Sequence, residues 1–110
     1  MRNELVVFVT APTVEEGTRI SEILVTEKLA ACVNLVAGVR SIYTWEEKIC
    51  SEAEVLLIIK TTEVAYAALE LRVKQLHSYS VPEVIALRIE RGSEQYLSWL
   101  AQGATPIRKS

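Results

Sequence analysis

Residues 55–59 read VLLII, an apolar run with no polar position in it. A strand with one face in water alternates between apolar and polar side chains, whereas a strand buried on both faces is apolar throughout. This run therefore predicts a strand in the middle of a sheet. Residues 5–9 read LVVFV and predict a second central strand for the same reason.

A helix is predicted after each of these strands. After the first strand, Thr13 and Glu16 form a capping box, and apolar residues then repeat at helical spacing to about Ala30. After the VLLII strand, Thr61 or Thr62 can cap a helix that ends near His77.

Residues 31–60 predict a long hairpin that contains the VLLII strand. Gly38 indicates a bulge or bend, and Glu46 and Glu47 indicate the turn. On the first arm of the hairpin, residues at period two are expected to share one face, namely Val33, Leu35, Val39, Tyr43 and Trp45. Cys32 and Cys50 then lie about 30 Å apart, whereas a disulfide requires about 7 Å or less.

Residues 84–89 predict a fourth strand, and Ser93 can cap a short third helix. The order β-α-β-β-α-β predicts an α+β fold, a ferredoxin-like βαββαβ sandwich with an extra C-terminal helix. The 110 residues suffice for one core but not for two, so we expect a single domain over residues 1–110.

The predicted sheet has a second apolar face that the two main helices do not cover. In this topology both main helices cover one face, yet the two central strands are apolar on both. The third helix is too short to cover the second face, so the pattern predicts self-association.

Composition excludes several classes of partner. With 12 basic and 14 acidic residues, the net charge of -2 gives no field that attracts nucleic acid or anionic lipid. The apolar runs are far shorter than a membrane span, and the first residues enter a strand pattern without a signal-peptide core. We therefore expect a cytoplasmic protein with reduced cysteines, Cys32 as a small buried apolar residue and Cys50 as the more exposed thiol.

No motif of a conventional enzyme is present. The chain has no H-E-x-x-H or C-x-x-C spacing, no glycine-rich phosphate loop, no G-x-S-x-G elbow and no paired carboxylates at a useful spacing. A hydrolase of the acylphosphatase kind shares the chain order but needs an arginine in its phosphate loop, and residues 12–14 offer none. We expect the protein not to be an enzyme.

Three groups of residues are candidates for binding. His77, the sole histidine, is either a functional group or a cap at a helix end. Lys60 and the amides near Thr61 are placed either to bind an anion or only to cap a helix. Aromatic residues are candidates for anchoring an interface, with core packing as the alternative, namely Tyr43, Trp45, Tyr96 and Trp99.

Five segments together resemble the CutA family of divalent-ion tolerance proteins in content, order and spacing. They are AACVN at 30–34, SIYTW at 41–45, KTT at 60–62, HSYSVPE at 77–83 and YLSWL at 96–100. The resemblance implies a tight homotrimer in which long hairpins extend a neighbour's sheet. It also implies an architecture like that of the PII signalling trimers, which bind small molecules in clefts between subunits.

The resemblance further implies copper binding, which is attributed to some family members through a cysteine late in the first strand and a histidine before the Tyr-Pro-Glu turn. In this chain Val9 takes the place of that cysteine, and Leu76 takes the place of a second histidine found beside His77 in some relatives. Glu47 stands where many relatives have glycine, a residue that readily supplies a positive φ in the turn.

Two hypotheses follow from these residues. The leading one is a cytoplasmic homotrimer that takes part in tolerance to divalent metal ions, with weak binding of Cu(II) or another divalent cation by His77 and Glu83. Its intersubunit cleft would contain Trp45, Lys60, Thr61 and Tyr79. The alternative is a PII-like sensor of a small anionic ligand, for which Lys60 and the amides near Thr61 matter more than His77.

Overall fold

A computed structural model describes residues 3–106. Its four strands are β1 (Glu4–Ala11), β2 (Cys32–Trp45), β3 (Lys48–Thr62) and β4 (Ile85–Arg88), and its three helices are α1 (Val14–Thr26), α2 (Glu63–Leu76) and α3 (Glu94–Gly103). The strands form an antiparallel sheet in the order β2-β3-β1-β4. This confirms the ferredoxin-like βαββαβ fold with a C-terminal helix, and it confirms that the two apolar runs are the central strands.

The core lies between the sheet and the pair α1 and α2. Every second residue of β1, and of β3 from Val55 onward, faces these helices and is buried, as are the helical residues they meet. The fully buried side chains of this cluster include Val7, Val9, Leu57, Ile59, Ile20, Leu24, Leu69 and Val73. Removing this much apolar surface from water is the main stabilising contribution to the subunit.

The first helix ends earlier than predicted, at Thr26 instead of about Ala30. Lys28 takes a left-handed conformation with φ of 60°, and the amides of Leu29 and Lys28 donate to the carbonyls of Leu24 and Val25. This is the Schellman arrangement that satisfies the last carbonyls of a helix. Glycine commonly marks such an end, and lysine stands there in this chain.

Of the two hydrogen bonds in the predicted capping box at the start of α1, the structure contains one. The hydroxyl of Thr13 accepts a hydrogen bond from the amide of Glu16 at 3.1 Å, as predicted. The carboxylate of Glu16 instead accepts from Ser78, beyond the end of α2. Thr62 lies at the N-cap of α2, but its hydroxyl donates to the carbonyl of Ala104 rather than capping the helix.

Gly38 lies in the predicted bulge, with φ of 80°. Val36 pairs with Leu56 and Val39 with Glu54, so two β2 residues lie opposite one β3 residue. The extra residue reverses which side chains face the helices. The prediction of one shared face along β2 was therefore wrong: Val33 and Leu35 face α1 and α2, whereas Val39, Tyr43 and Trp45 lie on the opposite face.

The hairpin turns at Glu46 and Glu47, as predicted. Both residues have positive φ, 49° and 67°, the requirement of a two-residue type I′ turn. Glu47 thus adopts a conformation that glycine would supply more readily.

The second face of the sheet is only partly covered. At one end α3 covers it, with Leu97 and Leu100 buried. Elsewhere the apolar residues of β1 and β3 on this face are half-buried, and those of the edge strand β4 are exposed, Ile85 at 53% and Leu87 at 57%. We call this area the open face; it consists of Val6, Phe8, Leu56, Ile58, Ile85 and Leu87.

The outer part of the hairpin extends beyond the sheet as a two-stranded ribbon. The last pairing of β1 joins Ala11 to Val55, so in the part of the chain that the structure describes no third strand lies beside residues 39–54. Cys32 pairs with Lys60 and Cys50 with Tyr43, which places the two half-buried cysteines far apart on the hairpin. Among residues 3–106, no helix combines the length and the apolar character needed to cross a membrane.

Candidate functional site

An open groove of about 810 Å³ lies where the ribbon meets the loop after α2. Strand β1 contributes one residue, the ribbon five and the loop four. The lining residues are Thr10, Tyr43, Trp45, Cys50, Glu52, Glu54, Tyr79, Ser80, Val81 and Glu83. Among residues 3–106, the lining contains three carboxylates and three large aromatic rings but no lysine, arginine or histidine.

Two of the carboxylates hold phenol groups in place. The hydroxyl of Tyr79 donates to Glu54 Oε2 at 2.8 Å, and the hydroxyl of Tyr43 donates to Glu52. The hydrogen bond to Glu52 raises the pKa of Tyr43 to about 12. Burial and the bond to Glu54 raise the pKa of Tyr79 still further above its usual value. Both phenols therefore stay neutral donors at physiological pH.

Glu54 is the most buried acid of the groove, with 8% of its surface exposed. Its other oxygen, Oε1, has no hydrogen-bond partner within residues 3–106. The carboxylate of Glu83 likewise has no bonded partner in that part of the chain and is exposed at the groove. The groove therefore offers negative charge that the subunit itself does not neutralise.

His77 lies beneath the groove, and its side chain is fully buried. Its Nε2 is 2.7 Å from the carbonyl oxygen of Thr10, and its Nδ1 accepts from the amide of Tyr79 at 3.0 Å. Because a carbonyl oxygen only accepts, the proton is on Nε2 and the ring is neutral. The ring also lies against that of Tyr79, with 4.8 Å between their centroids.

This geometry does not fit His77 as a metal ligand in the subunit. A metal bonds to a nitrogen lone pair, and the single lone pair of this neutral ring, on Nδ1, already accepts a hydrogen bond. Val9, at the position of the family's cysteine, is fully buried toward the helices. In residues 3–106, no group of three histidine, cysteine, aspartate or glutamate side chains could hold a metal ion.

Glu16 connects this network to α1. Its carboxylate accepts from both the amide and the hydroxyl of Ser78 at 2.9 Å and lies 3.5 Å from His77 Nδ1. Burial raises the pKa of Glu16, but the two bonds from Ser78 and the nearby charge of Arg19 outweigh it, so the pKa lies below its usual value. The start of α1 is thus fixed to the loop that forms one wall of the groove.

The structure brings together only part of the predicted site. Trp45, Tyr79 and Glu83 line the groove, and so does Tyr43, which was predicted as an interface anchor. Lys60 lies six residues along β3 from Glu54, on the same face, and its ammonium group donates to the side chain of Asn34.

Thr61 does not reach the groove or the open face. Its side chain is fully buried on the helix side of the sheet, where its hydroxyl donates to the carbonyl of Leu29 at 2.6 Å. Tyr96 and Trp99 lie together on α3, with 5.5 Å between their ring centroids, and about half of each side chain is exposed. Their role as interface anchors stays a prediction.

Two acidic residues of the groove, Glu52 and Glu54, were not identified from the sequence. The two residues are two apart on β3, so their side chains leave the same face. The sequence did contain a signal: Glu52 and Glu54 alternate with Ala53 on the hairpin arm that pairs with the arm containing Tyr43, a spacing that places both carboxylates on one face of the strand.

Comparison with known proteins gives consistent matches over nearly the whole chain. The profile of the family described as CutA1 divalent ion tolerance protein matches residues 5–103. The chain is 53% identical over 96 residues to Protein CutA 1, chloroplastic, of Oryza sativa, covering 87% of this chain but 54% of the rice protein. It is 48% identical over 99 residues to the divalent-cation tolerance protein CutA of Thermus thermophilus, covering 90% of this chain and 96% of that protein.

Solved structures agree with these matches. The Thermus thermophilus protein superposes with a TM-score of 0.91 at 46% identity, covering 93% of this chain and 99% of that one. A protein of Archaeoglobus fulgidus, described as a periplasmic divalent cation tolerance protein, superposes with a TM-score of 0.89 at 37% identity, covering 93% and 99%. The relatives differ in compartment, chloroplast in one name and periplasm in another, so the similarity does not assign one to this chain.

Proposed function

Because the chain belongs to the CutA1 divalent ion tolerance protein family, we propose that it works as a homotrimer that takes part in the cellular response to divalent metal ions. A cytoplasmic location and the absence of enzymatic activity are part of the same proposal. The observation that carries it is the open face together with the ribbon, two surfaces that one subunit leaves uncovered.

The open face supports self-association on energetic grounds. Its apolar side chains belong mainly to the two central strands, and apolar patches of this kind mark interaction sites. The ribbon is an independent argument for self-association. A two-stranded hairpin alone is only marginally stable in water, so contacts with another subunit would stabilise it. Its exposed apolar residues include Ile42 at 70% and Ile49 at 82%, which neighbouring subunits would cover.

The groove charge favours a cation over an anion as its ligand. Three carboxylates line it, and Lys60, which the anion-sensor alternative requires, is not among the lining residues. A role in the response to divalent ions agrees with this sign of charge. The contacts of His77 support a role in positioning the groove wall, so the proposal does not use it as a copper ligand.

The trimer is tested by light scattering on wild type, Leu87→Arg and Leu71→Arg. The two leucines are nearly equally exposed, 57% and 59%, but Leu87 lies on the open face and Leu71 on α2. We expect a mass three times that of the 12.3 kDa chain for wild type and Leu71→Arg, and a smaller particle for Leu87→Arg, because a buried unpaired arginine is costly. Monomeric wild type would contradict the proposal.

The metal part is tested by calorimetric titration of Cu(II) and Mg(II) into the same wild-type preparation. Saturable heat with either ion supports direct binding. Heat that does not saturate with either ion would contradict direct binding and leave the assembly result unaffected.

A further inference from the structure

We propose that His77 is a pH-dependent switch inside the subunit. The neutral ring accepts a hydrogen bond from the amide of Tyr79 at Nδ1, whereas the protonated ring donates from the same nitrogen to Glu16 and releases that amide. The inference goes beyond the function proposed above, since it concerns how the loop after α2, residues 77–84, responds to acid. It requires neither a homotrimer nor a metal ion, because every contact that it uses lies within one subunit.

Two groups compete for Nδ1 of His77. The amide nitrogen of Tyr79 lies 3.0 Å from it, and Oε2 of Glu16 lies 3.5 Å from it. An amide N–H only donates and a carboxylate only accepts, so the two require opposite protonation states of the same nitrogen. In the neutral state the amide is satisfied and the carboxylate faces a lone pair. Uptake of a proton reverses this preference.

The ring can change partner without leaving its place. Its Nε2 lies 2.7 Å from the carbonyl oxygen of Thr10 and donates to it in both protonation states. A charge-assisted hydrogen bond between nitrogen and oxygen measures about 2.7–2.9 Å, so the carboxylate of Glu16 needs to approach Nδ1 by less than about 1 Å. The step takes up one proton from solvent at Nδ1 and needs no other reactant.

The charges of α1 act in opposite directions on the ring. The carboxylate of Glu16 favours the protonated state of His77, because opposite charges attract at this distance. The guanidinium of Arg19, which donates to the carbonyl of Leu76 at 3.0 Å, opposes that state, as does the burial of the ring. Arginine only donates, so of the two side chains it is Glu16 that can bond to a protonated Nδ1.

The other elements around the ring add little positive charge. From the loop, Tyr79 presents a phenol that stays neutral, and from β3 Glu54 accepts from that phenol with a second carboxylate. From α2, Lys74 of the last turn pairs with Glu70 on the exposed surface. From β1 the contact is the backbone carbonyl of Thr10. The protonated ring thus has mainly negative surroundings, and histidine ordinarily changes charge between pH 5 and 8.

Release of the Tyr79 amide frees the loop beyond residue 78. Both the amide and the hydroxyl of Ser78 donate to Glu16, so Ser78 stays bonded to α1 in either state. In the part of the chain that the structure describes, Tyr79 is the one residue of 79–84 whose backbone amide donates a hydrogen bond. Acid therefore removes a backbone anchor of the loop, and the bond from the Tyr79 hydroxyl to Glu54 remains.

The experiment follows wild type by NMR from pH 8 to pH 5. His77 is the sole histidine, so the nitrogen shifts of one imidazole report its protonation. Amide hydrogen exchange is measured in parallel and expressed relative to an unstructured peptide at the same pH. We expect the protection of the Tyr79 amide to fall by at least about tenfold as the ring takes up its proton. The amide of His77, which donates to the carbonyl of Val73, is the internal control and should keep its protection.

Three variants separate the switch from general effects of acid. In Glu16→Gln, we expect the Tyr79 amide to keep most of its protection at the pH where wild type has lost about tenfold. Glu15→Gln removes an exposed charge from the same turn without a contact to the ring and should follow wild type. His77→Gln does not titrate in this range, so its Tyr79 protection should not change with pH. The wild-type and Glu16→Gln measurements decide the question if His77→Gln does not fold.

A ring that titrates while the protection of Tyr79 stays constant would overturn the inference, as would a ring that stays neutral down to pH 5. Equal profiles of Glu16→Gln and wild type would also contradict it. Light scattering at pH 8 and pH 5 should give the same mass. A lower mass that appears together with the loss of protection would attribute that loss to dissociation and overturn the switch. Neither the trimer mass at neutral pH nor the Cu(II) titration depends on these outcomes.

Discussion

Glu16 links the first turn of α1 to the loop that forms the groove wall, through two hydrogen bonds from Ser78. Its pKa is lowered in the folded protein from 4.5 because the bonds from Ser78 outweigh the effect of burial. A lowered carboxyl pKa contributes stability that is present above the unfolded value and is lost as the pH falls through the folded value.

We therefore expect Glu16→Gln to lower the free energy of unfolding by about 1–2 kcal/mol at pH 7. The difference from wild type should shrink as the pH falls below 4.5, where the wild-type carboxylate also becomes protonated. Urea unfolding at pH 7 and pH 3.5 measures both quantities. Glu15→Gln in the same helical turn is the control for the helix dipole, and an equal effect of both variants at pH 7 would contradict the role of Ser78.

The sequence identified several residues of the site but not what each side chain contacts there. The sequence identifies His77 as the single histidine beside a turn, but the partners of its two nitrogens come from β1 and from the backbone of Tyr79. The first is 67 positions away along the chain. No local sequence pattern indicates contacts between residues so far apart along the chain.

At the scale of elements, the central strands could be predicted because burial on two faces leaves an unambiguous pattern. The predicted element boundary that was wrong lies where an uncommon residue type adopts a standard helix-ending conformation. Lys28 ends α1 in the left-handed conformation without a glycine to signal it. The bulge at Gly38 was predicted, but its effect on the facing of Tyr43 and Trp45 depends on the register with β3.

The hairpin turn offers a test of this reasoning. Glu46 and Glu47 both have positive φ, a conformation that costs an L-residue roughly 1 kcal/mol or more and glycine much less. We expect Glu47→Gly to raise the free energy of unfolding by roughly 0.5 kcal/mol, since the greater freedom of glycine in the unfolded chain offsets part of the gain.

Denaturant midpoints of Glu47→Gly and Lys48→Gly provide the comparison. Lys48 begins β3, outside the turn, so glycine there gains nothing from a positive φ and should destabilise the ribbon. Destabilisation of similar size in both variants would show that the left-handed conformation at Glu47 carries no cost.

At the scale of the whole molecule, the same two apolar runs that predict the sheet also predict its incomplete burial. One face is covered within the subunit by α1 and α2, and α3 covers only the end of the other. The groove could not be predicted in this way, because it forms between the ribbon and the loop after α2, whose relative position is a property of the assembled fold.

If three subunits cover the open face, unfolding and dissociation are linked, and the melting temperature depends on protein concentration by mass action. We expect the wild-type Tm to rise by roughly a few degrees for each tenfold increase in protein concentration, because dilution favours the separated chains. Leu87→Arg, which places a charge on the open face, should melt lower and without this dependence, whereas Leu71→Arg on α2 should retain it. Calorimetric scans over a hundredfold concentration range measure the slope. A wild-type Tm that does not change with concentration, together with a monomeric mass, would mean that the open face is stable in water without a partner.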